Sequence, residues 1–289
     1  MKNTPFIAVT SQPVPYHADT TAIFNTLCQQ NSNSLLLDSA EIGSKNSLQS
    51  LILINAAVKI TCLGNQVTFR ALNANGKQVL KEIHPVLSQL GTVSAVNFDD
   101  EFSVQFAPLD NQLDEDSKLQ AATIFDGLRV ISNHYQHSST PVFLGGLFAY
   151  DLVANFIPMQ GVELKDDGIN CPDYSFYLAE NLITIDHQSQ QATLKSFCFS
   201  QEEQVEVAKT ALSIAQKLKN IDGVLSIKAA SDEVSTNFED PEFTGIVKAL
   251  KHHINIGDVF QIVPSRRFSL ACPNTLASYA QLKLNNPSP

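Results

Sequence analysis

Two β-rich segments constrain the fold of this chain more than any other feature of its sequence. Residues 50–72 are rich in Ile, Val, Leu and Thr. Residues 174–185 and 192–199 alternate in the manner of two strands, and the polar turn 186–191 separates them. Runs of this kind, bounded by turn residues, are typical of antiparallel strands. We therefore predict a large, mostly antiparallel sheet.

Turn residues subdivide the first of these segments and follow it. We expect breaks at Asn55-Ala56 and at Gly64-Asn65, which would make residues 50–72 an antiparallel meander. The run Asn73-Ala74-Asn75-Gly76 contains an Asn-Gly pair and predicts a further turn. A short helix is then expected from Val79 to Leu90.

Helical signals alternate with the strand-forming segments. Asp19 predicts the N-cap of a helix that runs to about Gln30, and Asp114-Glu115-Asp116 precede a second helix. Ser200-x-x-Glu203 predicts a capping box in front of a third helix. The apolar stripes expected to face the core are Phe125, Leu128, Ile131 and Tyr135 in the second helix, and Val205, Ala208, Leu212 and Ala215 in the third.

The last part of the chain predicts two more helices around a strand. Asp240-Pro241 is a favourable helix start, because proline at the first helical position loses no needed hydrogen bond. A strand is expected at residues 259–263, continuing to Leu270, and a last helix from about Thr275 to Leu284. The fold class is therefore α+β, with a large, mostly antiparallel sheet or sandwich and flanking helices. Residues 220–239 are polar and weakly patterned, so we place a domain boundary there.

Composition excludes several classes of function. The net charge of −10, from 29 acidic and 19 basic residues, and the absence of a Lys/Arg cluster argue against a nucleic-acid surface. No membrane span is expected, because no run approaches roughly 18 apolar residues, and the first residues lack the apolar segment of a signal peptide. Five scattered cysteines predict reduced core thiols and no zinc site. We expect a cytoplasmic protein.

The best candidate for a small-molecule site is the segment Leu35–Ile42, which Lys45 follows. Three leucines predict a short strand, and Asp38 and Ser39 at its end offer a carboxylate and a hydroxyl. The same residue types also end strands by bonding nearby backbone groups. Both interpretations remain open from these residues alone.

Other polar groups favour structural roles. Adjacent helical residues point about 100° apart, so His252-His253 cannot chelate one metal as an i, i+4 pair does. Arg266-Arg267 fits either a bound anion or an ion pair with an acid. Gly145-Gly146 lacks the spacing of a dinucleotide loop and favours close backbone approach. The acids at 114–116 favour a solvated helix start over a metal site.

Four motifs resemble those of the chorismate-utilising enzymes. Residues 256–268 resemble the family's helix, "GD-aromatic-Q" and strand ending in Ser and Arg. Residues 284–289 resemble its "L-x-x-NPSPYMFY" segment. Residues 35–45 resemble the "LLESAEI-x-x-K" motif of the anthranilate synthase large subunits, and residues 143–153 their "GG-x-GY-x-YDL" region. The matches keep the family's order from residue 5 to residue 289.

The resemblance implies the N-terminal portion of an anthranilate synthase large subunit. Such a lyase converts chorismate and ammonia to anthranilate and pyruvate, the first committed step of tryptophan biosynthesis, with Mg2+ as electrophile. A glutamine amidotransferase subunit, anthranilate synthase component II, supplies the ammonia, and a heterotetramer is expected. The family's catalytic and metal-binding residues follow the "NPSPYM" segment, so no such residue is assigned within 1–289. We expect these residues alone to be inactive.

The resemblance also implies a feedback site for L-tryptophan. Ser39 and Pro289 match tryptophan-contacting positions, and Asp38 and Lys45 are their neighbours. Asp38 stands where the family more often has Glu, which shortens the reach of the carboxylate by one methylene. A zwitterionic ligand needs an anion for its ammonium, donors for its carboxylate and apolar walls for its indole. Residues 1–225 would form the regulatory region and residues 226–289 the start of the chorismate-binding catalytic domain.

Two alternatives remain open. Aminodeoxychorismate synthase, of the folate pathway, has a similar N-terminal half, although its terminal motif usually departs from "NPSP". The other is a non-catalytic tryptophan-binding module. The sequence stops directly after a helical pattern, so we expect an interrupted sequence. The codons that follow Pro289 would separate the two enzymes.

Overall fold

The structure of this chain is a computed structural model that describes residues 5–28, 31–39, 48–97, 100–108, 112–157, 171–221 and 233–286. These residues form two compact units, which are residues 5–221 and residues 233–286. The first unit contains the large sheet and both hydrophobic cores.

The first unit is built on a nine-stranded sheet with helices packed against it. Its strands are β1 (Ala8–Val14), β2 (Leu35–Leu37), β3 (Gln49–Leu63), β4 (Gln66–Ala71), β5 (Thr92–Asn97), β6 (Glu101–Gln105), β7 (Leu144–Phe148), β8 (Tyr174–Asp186) and β9 (Gln191–Cys198). Its helices are α1 (Thr20–Cys28), α2 (Ala74–Leu87), α3 (Glu115–Gln120), α4 (Asp126–His134) and α5 (Gln204–Lys217), with a 3-10 helix at Tyr150–Asn155.

All pairings within this sheet are antiparallel. The spatial order is β1-β9-β8-β3-β4-β6-β5, while β2 pairs with β3 and β7 pairs with β8. The predicted turns at residues 64–65 and 186–191 join β3 to β4 and β8 to β9. The predicted α+β class with a large antiparallel sheet is confirmed.

Two hydrophobic cores cover opposite faces of the sheet. Successive side chains of a strand point to opposite faces. In β3, Leu53 belongs to the core that includes residues of α2 and α4. Its neighbours Ile52 and Ile54 belong to the core that includes residues of α1 and α5. Because each fully buried Ile or Leu contributes roughly 1.5–3 kcal/mol, these cores are the main source of stability of the first unit.

The break predicted at Asn55-Ala56 is a bulge within β3. The register between β3 and β8 shifts around these two residues. The Asn55 side-chain amide donates to Asn181 Oδ1 at 3.1 Å, and the Asn181 amide donates to Ser196 Oγ at 2.8 Å. Since the polar side chain is satisfied inside the sheet, the strand continues past it.

The turn predicted at residues 73–76 is wrong, because these residues begin α2. Asn73 is the N-cap, and its Oδ1 accepts the Gly76 N–H at 2.8 Å. A Cβ on Gly76 would lie 1.9 Å from the carbonyl oxygen of Ala57, so close packing against β3 explains the glycine. The helix therefore starts five residues before the predicted Val79 and ends three before Leu90.

The helix predicted after Asp114 is two separate helices. Asp114 caps the short α3 by accepting the Ser117 N–H at 2.9 Å, as a helix-start residue should. The extended backbone of Ala121, with φ −65° and ψ 141°, ends α3. The predicted stripe divides accordingly: Ile131 is buried within α4, whereas Phe125 and Tyr135 flank that helix.

The cap and the inner face predicted for α5 are wrong. Its N-cap is Glu203, and among the described residues no side chain caps it. Val207 and Ile214 are buried, whereas Val205 and Leu212 are 66% and 59% exposed. Both stripes have the helical period of 3.6 residues, so periodicity alone cannot choose between them. Packing against the sheet buries the stripe that contains Val207 and Ile214.

The second unit contains little core of its own. Its elements are β10 (Val234–Thr236), α6 (Asp240–Asn255), β11 (Phe268–Leu270) and α7 (Thr275–Asn285), and the two strands pair antiparallel. Pro241 lies in the first turn of α6, as predicted, and α7 is also where expected. The strand predicted from residue 259 to Leu270 is present only at its end, as β11, because none of the described residues pairs with residues 259–263.

Two compositional predictions can be compared with the structure. Three of the five cysteines, Cys28, Cys62 and Cys198, are buried free thiols, as predicted, whereas Cys171 and Cys272 are exposed. Burial raises the pKa of the Cys28 thiol to about 11, against a hydrogen bond with Ser34 that lowers it. Within the described ranges, no helix is long and apolar enough to cross a membrane.

Candidate functional site

Asp38 and Ser39 lie directly after β2, half-buried, beside the start of β3. Leu37 of β2 pairs with Leu51 of β3, so the next two residues run past the first residues of β3. The other two predicted ligand-site residues, Lys45 and Pro289, lie outside the described residues. The structure therefore describes the positions of Asp38 and Ser39, and the ligand site itself stays a prediction.

The Asp38 carboxylate accepts hydrogen bonds from two hydroxyl groups. Thr20 Oγ1 donates to Oδ2 at 2.8 Å, and Ser50 Oγ donates to Oδ1 at 2.7 Å. Thr20 is the first residue of α1, where the helix dipole favours a negative charge. Asp19 caps the same helix, as predicted, by accepting the Ala22 N–H at 3.0 Å. Because both carboxylate oxygens are bonded, the orientation of the Asp38 side chain is fixed.

Ser50 connects Asp38 to His187. Ser50 is 0% exposed, and its only hydroxyl proton is donated to Asp38. Its oxygen accepts the Ser39 backbone N–H at 3.3 Å and lies 2.8 Å from His187 Nε2. Since the hydroxyl proton is already used, the Nε2 atom must carry the proton that bridges it to Ser50. The hydrogen-bond pattern thus assigns the tautomer of His187.

The backbone and the ring of His187 are both anchored. It follows β8, and its backbone N–H donates to the Leu48 carbonyl at 3.0 Å. Its Nδ1 lies 3.3 Å from Tyr16 Oη, and the two rings pack edge to face with centroids 6.0 Å apart. In the neutral imidazole with a proton on Nε2, Nδ1 accepts the Tyr16 hydroxyl proton. One network therefore joins the segment before α1, the end of β2, the start of β3 and the β8–β9 turn.

The serine, histidine and aspartate in this network do not form a nucleophilic triad. In such a triad the histidine takes the serine proton, and the carboxylate orients the histidine from its other side. Here Ser50 donates directly to Asp38, and His187 donates to Ser50. A buried hydroxyl in this order cannot attack a substrate. The arrangement can hold a carboxylate and a backbone amide in position.

The other candidate polar groups have structural partners. Arg266 forms an ion pair with Asp240, and its guanidinium lies 4.8 Å from the centroid of the Phe268 ring. His253 Nδ1 lies 2.7 Å from Asp258 Oδ2 at an exposed site. These contacts resolve the alternatives left open for the arginine pair in favour of an ion pair at Arg266.

The glycine pair in β7 allows close strand packing. A Cβ on Gly146 would lie 2.1 Å from the Ser175 carbonyl oxygen of β8. This confirms the prediction of close backbone approach. In the part of the chain that the structure describes, no group of three or more His, Cys, Asp or Glu side chains is arranged to hold a metal ion.

Sequence reasoning did not identify Thr20, Ser50, His187 or Tyr16 as parts of a site. Ser50 and His187 are 137 residues apart, and Tyr16 and His187 are 171 apart. No local spacing connects them. Pairing of β3 with β8 brings Ser50 and His187 together, because Ser50 lies opposite Ile185, two residues before His187.

Comparison with known proteins agrees with the motifs. A family model described as chorismate binding enzyme matches residues 79–289. Anthranilate synthase component 1 of Haemophilus influenzae is 88% identical over 284 residues, which are 98% of this chain and 55% of that protein. The protein of the same name from Vibrio cholerae is 42% identical over 299 residues, which cover 100% of this chain and 55% of that protein. The chain spans about half the length of the curated relatives it matches.

A solved structure supports the fold. The crystal structure of anthranilate synthase component I from Streptococcus pneumoniae superposes with a TM-score of 0.51 at 17% sequence identity. The superposition covers 86% of this chain and 48% of that chain. At this identity the likeness concerns the fold alone. The family itself is shown by the match to the family model. On that match, as its motifs predict, the chain belongs to the chorismate binding enzyme family.

Proposed function

We propose that this chain, together with the C-terminal part that its longer relatives contain, converts chorismate and ammonia to anthranilate and pyruvate in tryptophan biosynthesis. The observation that supports the reaction most strongly is the 88% identity to a protein named anthranilate synthase component 1. The same name among the further relatives favours this reaction over that of aminodeoxychorismate synthase. We place the protein in the cytoplasm.

The partner and the metal follow from the same reaction. A glutamine amidotransferase subunit, component II, would supply the ammonia within a heterotetramer. Bound Mg2+ would supply an electrophile for the substrate carboxylate. The described residues contain no cluster suited to a metal ion, so none of them is assigned as a ligand.

Within this protein, the end of β2 is proposed as one side of a feedback site for L-tryptophan. Its support is the fixed Asp38 carboxylate next to Ser39, at a half-buried position. Asp38 would attract the ligand ammonium, and the Ser39 hydroxyl would bond the ligand carboxylate. Lys45 would add a cation for that carboxylate, and Pro289 an apolar wall for the indole.

A chimeric protein tests both proposals. Residues 1–289 are joined to the remaining C-terminal part of the Haemophilus influenzae relative, whose 88% identity makes the junction compatible. Anthranilate fluorescence is then measured with chorismate, ammonia and Mg2+, with increasing L-tryptophan. We expect anthranilate formation that falls as tryptophan is added. Residues 1–289 alone serve as the control and should form no anthranilate.

Each part of the proposal has its own contrary result. A folded chimera that forms no anthranilate shows that residues 1–289 do not support this reaction. Because the Haemophilus influenzae part supplies the catalytic residues, the codons that follow Pro289 in the natural gene are read to separate this reaction from the folate-pathway alternative. Activity that tryptophan does not reduce contradicts the feedback site. Tight tryptophan binding by residues 1–289 without any enzymatic activity of the chimera supports the non-catalytic binding module.

A further inference from the structure

We propose that Ser50 and His187 are positioning residues of the effector site. They would not contact the amino acid, but would hold Asp38 and Ser39 in the geometry that receives it. This inference rests on the feedback site proposed above and assigns the residues that control its response.

One buried oxygen atom bonds both of the residues proposed to face the ligand. The Ser50 hydroxyl donates to Asp38 Oδ1 at 2.7 Å and accepts the Ser39 backbone N–H at 3.3 Å. The first bond orients the carboxylate, and the second holds the main chain of the next residue. A displacement of this oxygen would therefore move the anion and the neighbouring hydroxyl together.

His187 determines the direction in which the Ser50 proton points. A free hydroxyl rotates and can donate to any acceptor within reach. With His187 Nε2 donating to Ser50 at 2.8 Å, the hydroxyl proton is directed to Asp38. Tyr16 Oη, 3.3 Å from Nδ1, holds the ring from its other side. The effector site would thus respond to a residue far away in the sequence.

A purely structural role predicts different behaviour. If the network only stabilised the end of the sheet, loss of a hydrogen bond would lower stability and leave the ligand response unchanged. A positioning role also depends on the chemical nature of the side chain. A replacement that retains an N–H donor near the place of Nε2 should then preserve the response, whereas an apolar replacement should not.

The test uses the chimera of residues 1–289 with the Haemophilus influenzae C-terminal part and measures the L-tryptophan concentration for half-maximal inhibition. Ser50→Ala removes a hydrogen bond to the charged Asp38 carboxylate and is expected to raise this concentration at least about ten-fold. His187→Leu removes the donor that directs that bond and is expected to raise it about ten-fold. His187→Gln retains an N–H donor, so its half-maximal concentration should remain within about three-fold of the wild-type value. On the free-energy scale this is less than half of a ten-fold change.

Thr184→Val is the matched control, because the buried Thr184 hydroxyl in the same strand as the His187 turn has no hydrogen-bond partner among the described residues. Its response to tryptophan should equal that of the wild type. Wild-type sensitivity in folded Ser50→Ala and His187→Leu overturns this inference and leaves the feedback site intact. A wild-type chimera that is active but insensitive to tryptophan overturns the feedback site itself, and this inference with it.

A spectroscopic measurement keeps the inference falsifiable if the variants do not fold. Long-range 1H–15N correlation spectra of the wild-type chain distinguish the two neutral imidazole tautomers. We expect His187 to carry its proton on Nε2, and its ring signal is assigned by correlation with the assigned backbone signals of the wild-type chain. A proton on Nδ1 would leave Ser50 without this donor and would overturn the inference.

Discussion

At the scale of single residues, Asp38 shows which part of a site can be predicted from sequence. An Asp-Ser pair after an apolar run predicts either a strand end or a ligand group, and Asp38 and Ser39 do follow β2. The carboxylate bonds the side chains of Thr20 and Ser50, neither of which is close to it in the sequence. Ser50 lies 12 residues away and receives its own partner through a strand pairing that no local pattern encodes.

Replacing Ser39 tests the proposed ligand contact directly. Ser39→Ala removes the hydroxyl and retains the backbone N–H that bonds Ser50. Because a hydrogen bond to a charged group contributes about 1.5–3 kcal/mol, inhibition by tryptophan should require about 10-fold to 150-fold more ligand. The measurement is the tryptophan titration of the chimera with Ser39→Ala. Unchanged inhibition would show that this hydroxyl does not contact the effector.

At the scale of secondary-structure elements, β8 and β9 were predicted more closely than the start of α2. β8 and β9 follow the alternating pattern within two residues at every end, since their side chains alternate between two covered faces. α2 was missed at its start because asparagine and glycine have two uses, in turns and at helix N-caps. Only contact with Ala57 reveals which use applies at Gly76.

The helix α5 provides a test of face assignment. Ile214 is buried against the sheet, whereas Leu212 in the same helix is largely exposed. Ile214→Ala should lower the free energy of unfolding by about 2–4 kcal/mol, because it removes buried methyl groups and leaves a cavity. Leu212→Ala, the matched control, should change it by about 0.5 kcal/mol or less. Urea unfolding measures both, and equal effects would contradict the assigned face.

The contact between α2 and the end of α4 should weaken at acid pH. Glu82 of α2 accepts hydrogen bonds from His134 Nε2 and Tyr135 Oη, both at 2.9 Å, and from Gln78 at 2.8 Å. Burial alone would raise the pKa of the Glu82 carboxyl, but hydrogen bonds from His134, Gln78 and Tyr135 outweigh it and hold the pKa below its usual range. A lowered pKa in the folded state means that the carboxylate form stabilises the fold.

The lowered pKa of Glu82 determines the pH range over which this stabilisation is lost. The stabilisation is fully present above the unfolded pKa of about 4.3 and is lost as the pH falls through the lower folded pKa. The difference in unfolding free energy between wild type and Glu82→Gln should therefore shrink between about pH 5 and pH 3. Glu206→Gln is the control, because Glu206 pairs with Lys209 at a largely exposed site. A Glu82→Gln difference that stays constant over this range would refute the assignment.

At the scale of the whole molecule, the hydrophobic cores and the family match cover different parts of the chain. Both cores consist of residues up to 221, whereas the family match begins at residue 79 and extends to residue 289. Among the described residues of the second unit, Ala277 is the one buried hydrophobic residue, and α6 buries none. Large apolar side chains such as Phe260 and Leu270 are exposed there. Sequence periodicity predicted α6 and α7 but cannot show which of their faces is covered.

This distribution predicts how the chain unfolds. Residues 1–221 produced alone should unfold in one cooperative transition, with a Tm within about 5 °C of the transition of residues 1–289, because they retain both cores. They should also bind less of the dye ANS, since the exposed apolar side chains of the second unit are removed. Calorimetry measures the first effect and dye fluorescence the second. A broad transition without cooperativity in residues 1–221 would show that their two cores are insufficient for a stable fold.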